Sequence, residues 1–181
     1  MHKYRVNKAI EQITLIAGNI RSFFAPQRNY EGLGYCGNNN NSCKLIKKAK
    51  LMPDEMWDDT DKRFNNVFGY GVQLNSADKS KSGDKQAFYI DYDIPLDKEV
   101  CIELVTYDWG NAGVKGIGIS GRIDENQGQG GTHKVPIDID KAVAYCTGSS
   151  SFISFQLSFI FDVNDSCWHV TSPGNYRYRC E

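Results

Sequence analysis

No run of about 18 apolar residues occurs in the chain, so no segment reads as a membrane-spanning helix. No secretory leader opens it: Met1-His2-Lys3-Tyr4-Arg5 leads straight into an amphipathic stripe. Histidine is scarce, with only His2, His133 and His169, and no Cys-x-x-Cys pair occurs. Zinc sites of the usual spacing are thereby excluded. Charge of one sign is lacking too: 21 basic residues face 22 acidic ones, for a net charge of −1. Such a balance argues against a surface built for nucleic acid. Phosphate loop, Gly-x-Ser-x-Gly and His-Glu-x-x-His are all missing, and no catalytic residue is expected.

Three local patterns resemble chemistry and are read otherwise. Gly116-Ile-Gly118-Ile-Ser-Gly121 matches a dinucleotide fingerprint in letters. It lies inside a strand pattern and runs into Arg122-Ile-Asp-Glu, not an apolar helix, so its glycines are read as strand glycines. Asp162-Val-Asn164-Asp165 offers oxygens to calcium but lacks the spacing and glycine of an EF-hand, and is read as a turn. His133 and His169 are read as surface histidines. No metal and no cofactor are expected.

What is present is an ordinary globular composition, 40% hydrophobic and 12% aromatic over 181 residues, read as one domain spanning 1–181. Six cysteines stand at 36, 43, 101, 146, 167 and 180. An even number without metal-ligand spacing reads as disulfides, hence an oxidising compartment, with about 15 pairings open to sequence alone.

The first 25 residues form the clearest helix. Val6, Ile10, Ile13, Ala17, Ile20 and Phe24 follow one another at steps of 4, 3, 4, 3 and 4, one continuous helical face. Pro26 ends it. The stripe is running by Val6 without a capping box before it, and the expectation is a cut through a longer helix.

A turn-rich loop at 34–43 precedes a short helix through Lys50, with Ser42 as its expected cap. That helix carries Lys44, Lys47, Lys48 and Lys50. Its lysines are read as a solvated face, or alternatively as a contact for the acidic run Asp54, Glu55, Asp58, Asp59 and Asp61 of a neighbour. Strands are expected at 67–74, 87–94 and 114–121. Helices are expected from Pro95 and over 138–146. Strict alternation from 152 to 161 puts Ile153, Phe155, Leu157 and Phe159 on a buried face. The tail with Trp168, Tyr176 and Tyr178 is read as a hairpin capping the sheet, or alternatively as a ligand platform. The fold class is α+β, a long N-terminal helix packed on an antiparallel sheet of about four strands.

In order, four stretches resemble type IV pilin globular domains, most closely the type IVb class that includes the toxin-coregulated pilin. They are Ile13-Thr-Leu-Ile-Ala-Gly-Asn-Ile-Arg-Ser-Phe-Phe24 with Asn29-Tyr-Glu-Gly-Leu33; Lys50-Leu-Met-Pro53 with Asn66-Val-Phe-Gly-Tyr-Gly71; Ala87 to Thr106; and Asp138 to Cys146 with Phe152 to Phe161. The resemblance covers roughly 5–161. It implies that residues 1–25 are half of a spine helix, that Cys101–Cys146 bounds a region 101–146, and that 163–181 is an extension. The other cysteines then pair most simply as Cys36–Cys43 and Cys167–Cys180.

The resemblance further implies a structural subunit of a pilus, not an enzyme, with subunit packing on the helix stripe Val6, Ile10, Ile13, Ala17, Ile20 and Phe24. Its partners would be other copies of itself, the pilus assembly machinery, and a host surface or other cells, in adhesion, aggregation or motility. The precursor would be anchored in the bacterial inner membrane with this domain in the periplasm. A minor pilin, a type II secretion pseudopilin, and more distantly a secreted carbohydrate-binding module or enzyme are the rival readings.

Overall fold

The computed structural model describes residues 2–121, 131–147, 153–172 and 175–180. Its first element is α1 (His2–Phe24), followed by a 3-10 turn Ala25–Gln27 that carries Pro26. Arg28 then takes the left-handed conformation at φ 67°, which turns the chain away. Val6, Ala9, Ile13, Ile16, Ala17, Ile20 and Phe24 recur at three and four residues and are all buried, with Ile10 partly buried beside them. At helical pitch that recurrence makes one stripe, and the stripe holds α1 on the sheet.

A second helix, α2 (Asn41–Lys48), starts at Asn40, whose side chain accepts from the Cys43 N–H at 3.0 Å. Asn40 therefore takes the capping role expected of Ser42. The helix stops before Lys50, which is left-handed at φ 52°. A two-stranded ribbon follows, β1 (Trp57–Asp58) with β2 (Arg63–Phe64).

The main sheet begins with β3 (Val72–Ala77), later than the expected 67–74. The Asn66 side chain explains the delay. Its Oδ1 accepts from Phe68 N–H at 2.9 Å and Tyr70 N–H at 3.2 Å, folding 66–70 into a turn around left-handed Gly69. Next come β4 (Ala87–Ile94) and α3 (Lys98–Thr106). Asp97, not Pro95, opens α3: its carboxylate accepts from Glu99 and Val100 N–H groups at 3.0 and 3.3 Å. The remaining elements are β5 (Val114–Gly121), β6 (Thr132–Lys134), α4 (Ile139–Tyr145), β7 (Phe155–Phe161), β8 (Trp168–Ser172) and β9 (Asn175–Tyr178).

The main sheet has seven strands in the order β3-β4-β7-β5-β6-β9-β8, every pairing antiparallel. The expected class holds, and the sheet is wider than about four strands. The tail hairpin β8–β9 joins the sheet through β6, which is three residues long and too short to read as a period-two pattern.

Register sorts the two faces. Phe88 pairs with Phe161, Ile90 with Phe159, Tyr92 with Leu157 and Ile94 with Phe155, all buried on the helix side. Phe88 and Phe161 stack at 4.7 Å. Two readings of β7 change. Ile153 lies before the strand and is 62% exposed, while Phe152 falls outside the described residues. The outer face is not polar throughout, because Ala87, Ile160, Val163 and Trp168 form a second apolar cluster there. Gly116 belongs to that cluster's floor: a Cβ on it would stand 2.1 Å from the Trp168 ring.

Candidate assembly surface

α1 has two working faces. The expected packing stripe is sealed inside this chain: Val6, Ile13, Ala17, Ile20 and Phe24 are buried under α1 and Ile10 is partly so. Those six side chains are thus engaged with the sheet of their own chain. Tyr4, at 65% exposure, and Leu15, at 50%, lie on the opposite side of the helix, and Phe23 is exposed on its flank. Tyr4 and Leu15 are 11 residues apart, close to three whole turns, so they share one line along the helix.

Polar side chains fix both flanks of α1. On one side Gln12 Oε1 accepts from Tyr92 Oη–H at 2.6 Å and from Val67 N–H at 3.3 Å. Asn19 Nδ2, on the same side, donates to the Lys50 and Leu51 carbonyls at 3.4 and 3.3 Å. On the other side the Arg21 guanidinium donates to both Asp162 carboxylate oxygens, at 3.2 and 2.9 Å, and to the Ala112 carbonyl at 3.0 Å. It also lies 5.7 and 5.4 Å from the Phe88 and Phe161 ring centres. Gly113 permits this approach, since a Cβ there would meet Arg21 Nη2 at 2.2 Å. Asp162 is thus occupied by Arg21 and turns the chain at φ 65°, in keeping with the turn reading.

Beyond Arg21 the end of α1 opens into a cleft of about 690 Å³, whose walls include Arg28, Tyr30, Lys79, Lys115 and Asp165. Burial pushes the Tyr30 phenol upward, as does the Asp162 charge, against the opposing effect of Arg21.

Three disulfides crosslink the chain: Cys36–Cys43, Cys101–Cys146 and Cys167–Cys180. Cys101 on α3 and Cys146 at the end of α4 bring the two helices together with Cα atoms 5.7 Å apart. Trp109 seats the end of α3, donating Nε1–H to the Leu104 carbonyl at 2.6 Å and packing on Phe159 at 4.8 Å. Ile139 and Val143, one turn apart on α4, are exposed. Cys167–Cys180 ties off the base of the tail hairpin.

The outer sheet face holds a group that sequence reasoning missed. Asp91, 4% exposed, accepts from Ser158 Oγ–H and from Tyr35 Oη–H at 3.0 Å, and Tyr35 Oη lies 2.8 Å from Tyr89 Oη. Burial raises the Asp91 carboxyl above its usual range, opposed by the Ser158 and Tyr35 hydrogen bonds. The alternation of Phe88–Ile94 did carry a sign of this, since Asp91 falls among outward positions and its register partner is Ser158.

The other sequence candidates go to packing. His133 is buried, a correction to the surface reading, and stacks on Tyr145 at 3.8 Å. Lys50 pairs with Asp54 of its own chain at 3.1 Å, and Lys47 Nζ sits 3.4 Å from the Trp57 ring centre. Among the described residues, no group of three or more His, Cys, Asp or Glu side chains could hold a metal ion.

A long helix on an antiparallel sheet, with a disulfide joining α3 to α4, defines a pilin-like domain. Residues 3–157 match the model of the PilS N-terminal family, and the chain belongs to that family. The TcpA type IV pilin of Vibrio cholerae El Tor biotype superposes with a TM-score of 0.58 at 15% identity, covering 87% of this chain and 98% of that one. The type IVb pilin of Salmonella typhi superposes with a TM-score of 0.52 at 17% identity, with the same coverage of 87% and 98%. At these identities the superpositions establish the fold, and the family match adds the class. No curated protein matches the chain. This is a type IVb-like pilin, a structural subunit of a pilus on the cell surface.

Proposed function

We propose that the filament forms with the outer line of α1, through Tyr4 and Leu15 and flanked by Phe23, turned toward neighbouring subunits. The observation that carries this is the division of α1 into a sealed stripe and an exposed apolar line. Apolar surface left on a helix so firmly fixed to its own sheet is released from water only by another chain. The output is hydrophobic burial and surface fit between copies, with no chemical step. Residues 1–181 act as one domain in this reading, with 1–25 as the assembly helix, 101–146 as the bracketed region and 163–181 as an extension.

The precursor is held in the bacterial inner membrane with this domain in the periplasm, where three disulfides are at home. The anchor in this reading rests on the pilin family match; no helix among the described residues is long and apolar enough to cross a membrane. The assembly machinery draws the subunit into the filament, and contact with a host surface or another cell gives adhesion, aggregation or motility. Immunogold microscopy with an antibody against this chain tests the reading. Label along the length of surface pili, lost on deletion of the gene, is expected; unlabelled pili that survive deletion would overturn it.

A further inference from the structure

The cleft at the end of α1 carries an imbalance of charge. Arg21, Arg28, Lys79 and Lys115 line it against Asp162 and Asp165. Both acids are already engaged, Asp162 by Arg21 at 2.9 Å and Asp165 by Lys134 at 3.7 Å. Arg28, Lys79 and Lys115 have no ion pair among the described residues, and Arg28 and Lys115 are exposed. A cleft of about 690 Å³ with three uncompensated cations has the size and sign to take a short acidic segment.

The chain carries such a segment elsewhere. The turn from Pro53 to Arg63 holds five carboxylates against two cations, and the β1–β2 ribbon holds it out. Asp54, Glu55, Asp59 and Asp61 are exposed; Asp54, Asp59 and Asp61 lie 3.1, 3.8 and 3.6 Å from Lys50, Lys62 and Arg63 of their own chain, and Glu55 has no ion pair among the described residues. The sequence lies against the Asn19 flank of α1 through residues 50 and 51, whereas the cleft is built on the Arg21 flank. Asn19 and Arg21 are two residues apart, which at helical pitch is about 200° around the axis. The acidic turn and the basic cleft thus adjoin different flanks of one helix, and no ion pair among the described residues joins them.

We propose that the cleft is the socket for the acidic turn, residues 53–63, of a second copy of this chain. A contact between two different patches is heterologous, so it repeats from copy to copy instead of closing as a two-fold dimer, as a filament requires. Complementary charge would set the register while apolar burial on α1 supplies the cohesion. The inference rests on the pilus reading above.

Charge exchange in the producing bacterium tests it. One full-length allele carries Arg28→Glu with Lys115→Glu, a second carries Glu55→Lys with Asp61→Lys, and a third carries all four. Sheared filament yield should fall roughly tenfold for each reversal, because like charges meet at the socket, and should recover in the combined allele. Unchanged yield in either reversal, or no recovery in the combination, would overturn the socket while leaving the pilus reading intact. Absence of any wild-type filament containing the chain would overturn the pilus reading, and the socket with it. Should a reversal lower the melting temperature of the purified chain, Arg28→Gln with Lys115→Gln replaces it. A partial loss of yield is then expected, and none would count against the socket.

Discussion

Arg21 is the side chain that locks α1 to the far end of the sheet. Its fork reaches Asp162, 141 residues away, in a bidentate pair about one-third exposed. A charge-assisted pair of this geometry contributes about 1–3 kcal/mol. Asp162→Asn keeps a residue that tolerates the left-handed backbone while removing the charge, so a loss of about 1 kcal/mol is expected in chemical denaturation. Asp91 sets a pH dependence. Burial raises its carboxyl in the folded chain above the ordinary value of 3.8, so the fold binds more protons than the unfolded chain over that interval. Its contribution is therefore fullest below pH 3.8 and declines as pH rises through the folded value. Melting curves of wild type and Asp91→Asn across this range should differ by that slope, with the variant losing the decline.

The elements divide into those declared locally and those declared by distant partners. α1 was legible because six apolar residues repeat at helical spacing, and β5 and β7 because their residues alternate. Asp97 and Asn40 are ordinary caps that Pro95 and Ser42 obscured by standing close by. Of the outer strands, the β8–β9 hairpin was expected as a cap on the sheet, whereas β6, with three residues, was hidden, and with it the way the hairpin joins the sheet. Arg21–Asp162 has no local sign at all, since nothing near either residue reports the other. Among the crosslinks, Cys101–Cys146 spans 45 residues, against 13 for Cys167–Cys180 and 7 for Cys36–Cys43. In the chain-entropy model those loops are worth about 4, 3 and 2.5 kcal/mol. Replacing the Cys101 and Cys146 pair by serine should lower the denaturation midpoint most, and replacing Cys36 and Cys43 least.

At the scale of the whole molecule α1 faces two ways, with a stripe buried on the sheet and an exposed apolar line opposite it. Cohesion within the subunit comes from the sealed stripe, and the proposal above assigns cohesion between subunits to the exposed line. Substitution separates the two. Ile13→Ala removes a fully buried side chain and should cost about 2–5 kcal/mol of stability. Leu15→Glu touches a half-exposed one and should change stability by no more than about 0.5 kcal/mol. The most direct test of the account is the number of surface pili counted by electron microscopy on cells that carry the full-length gene with Leu15→Glu as their sole copy. Near-complete loss of pili is predicted, with the variant chain still present and its melting temperature unchanged. Pili in wild-type numbers would contradict the assignment of this face of α1 to assembly.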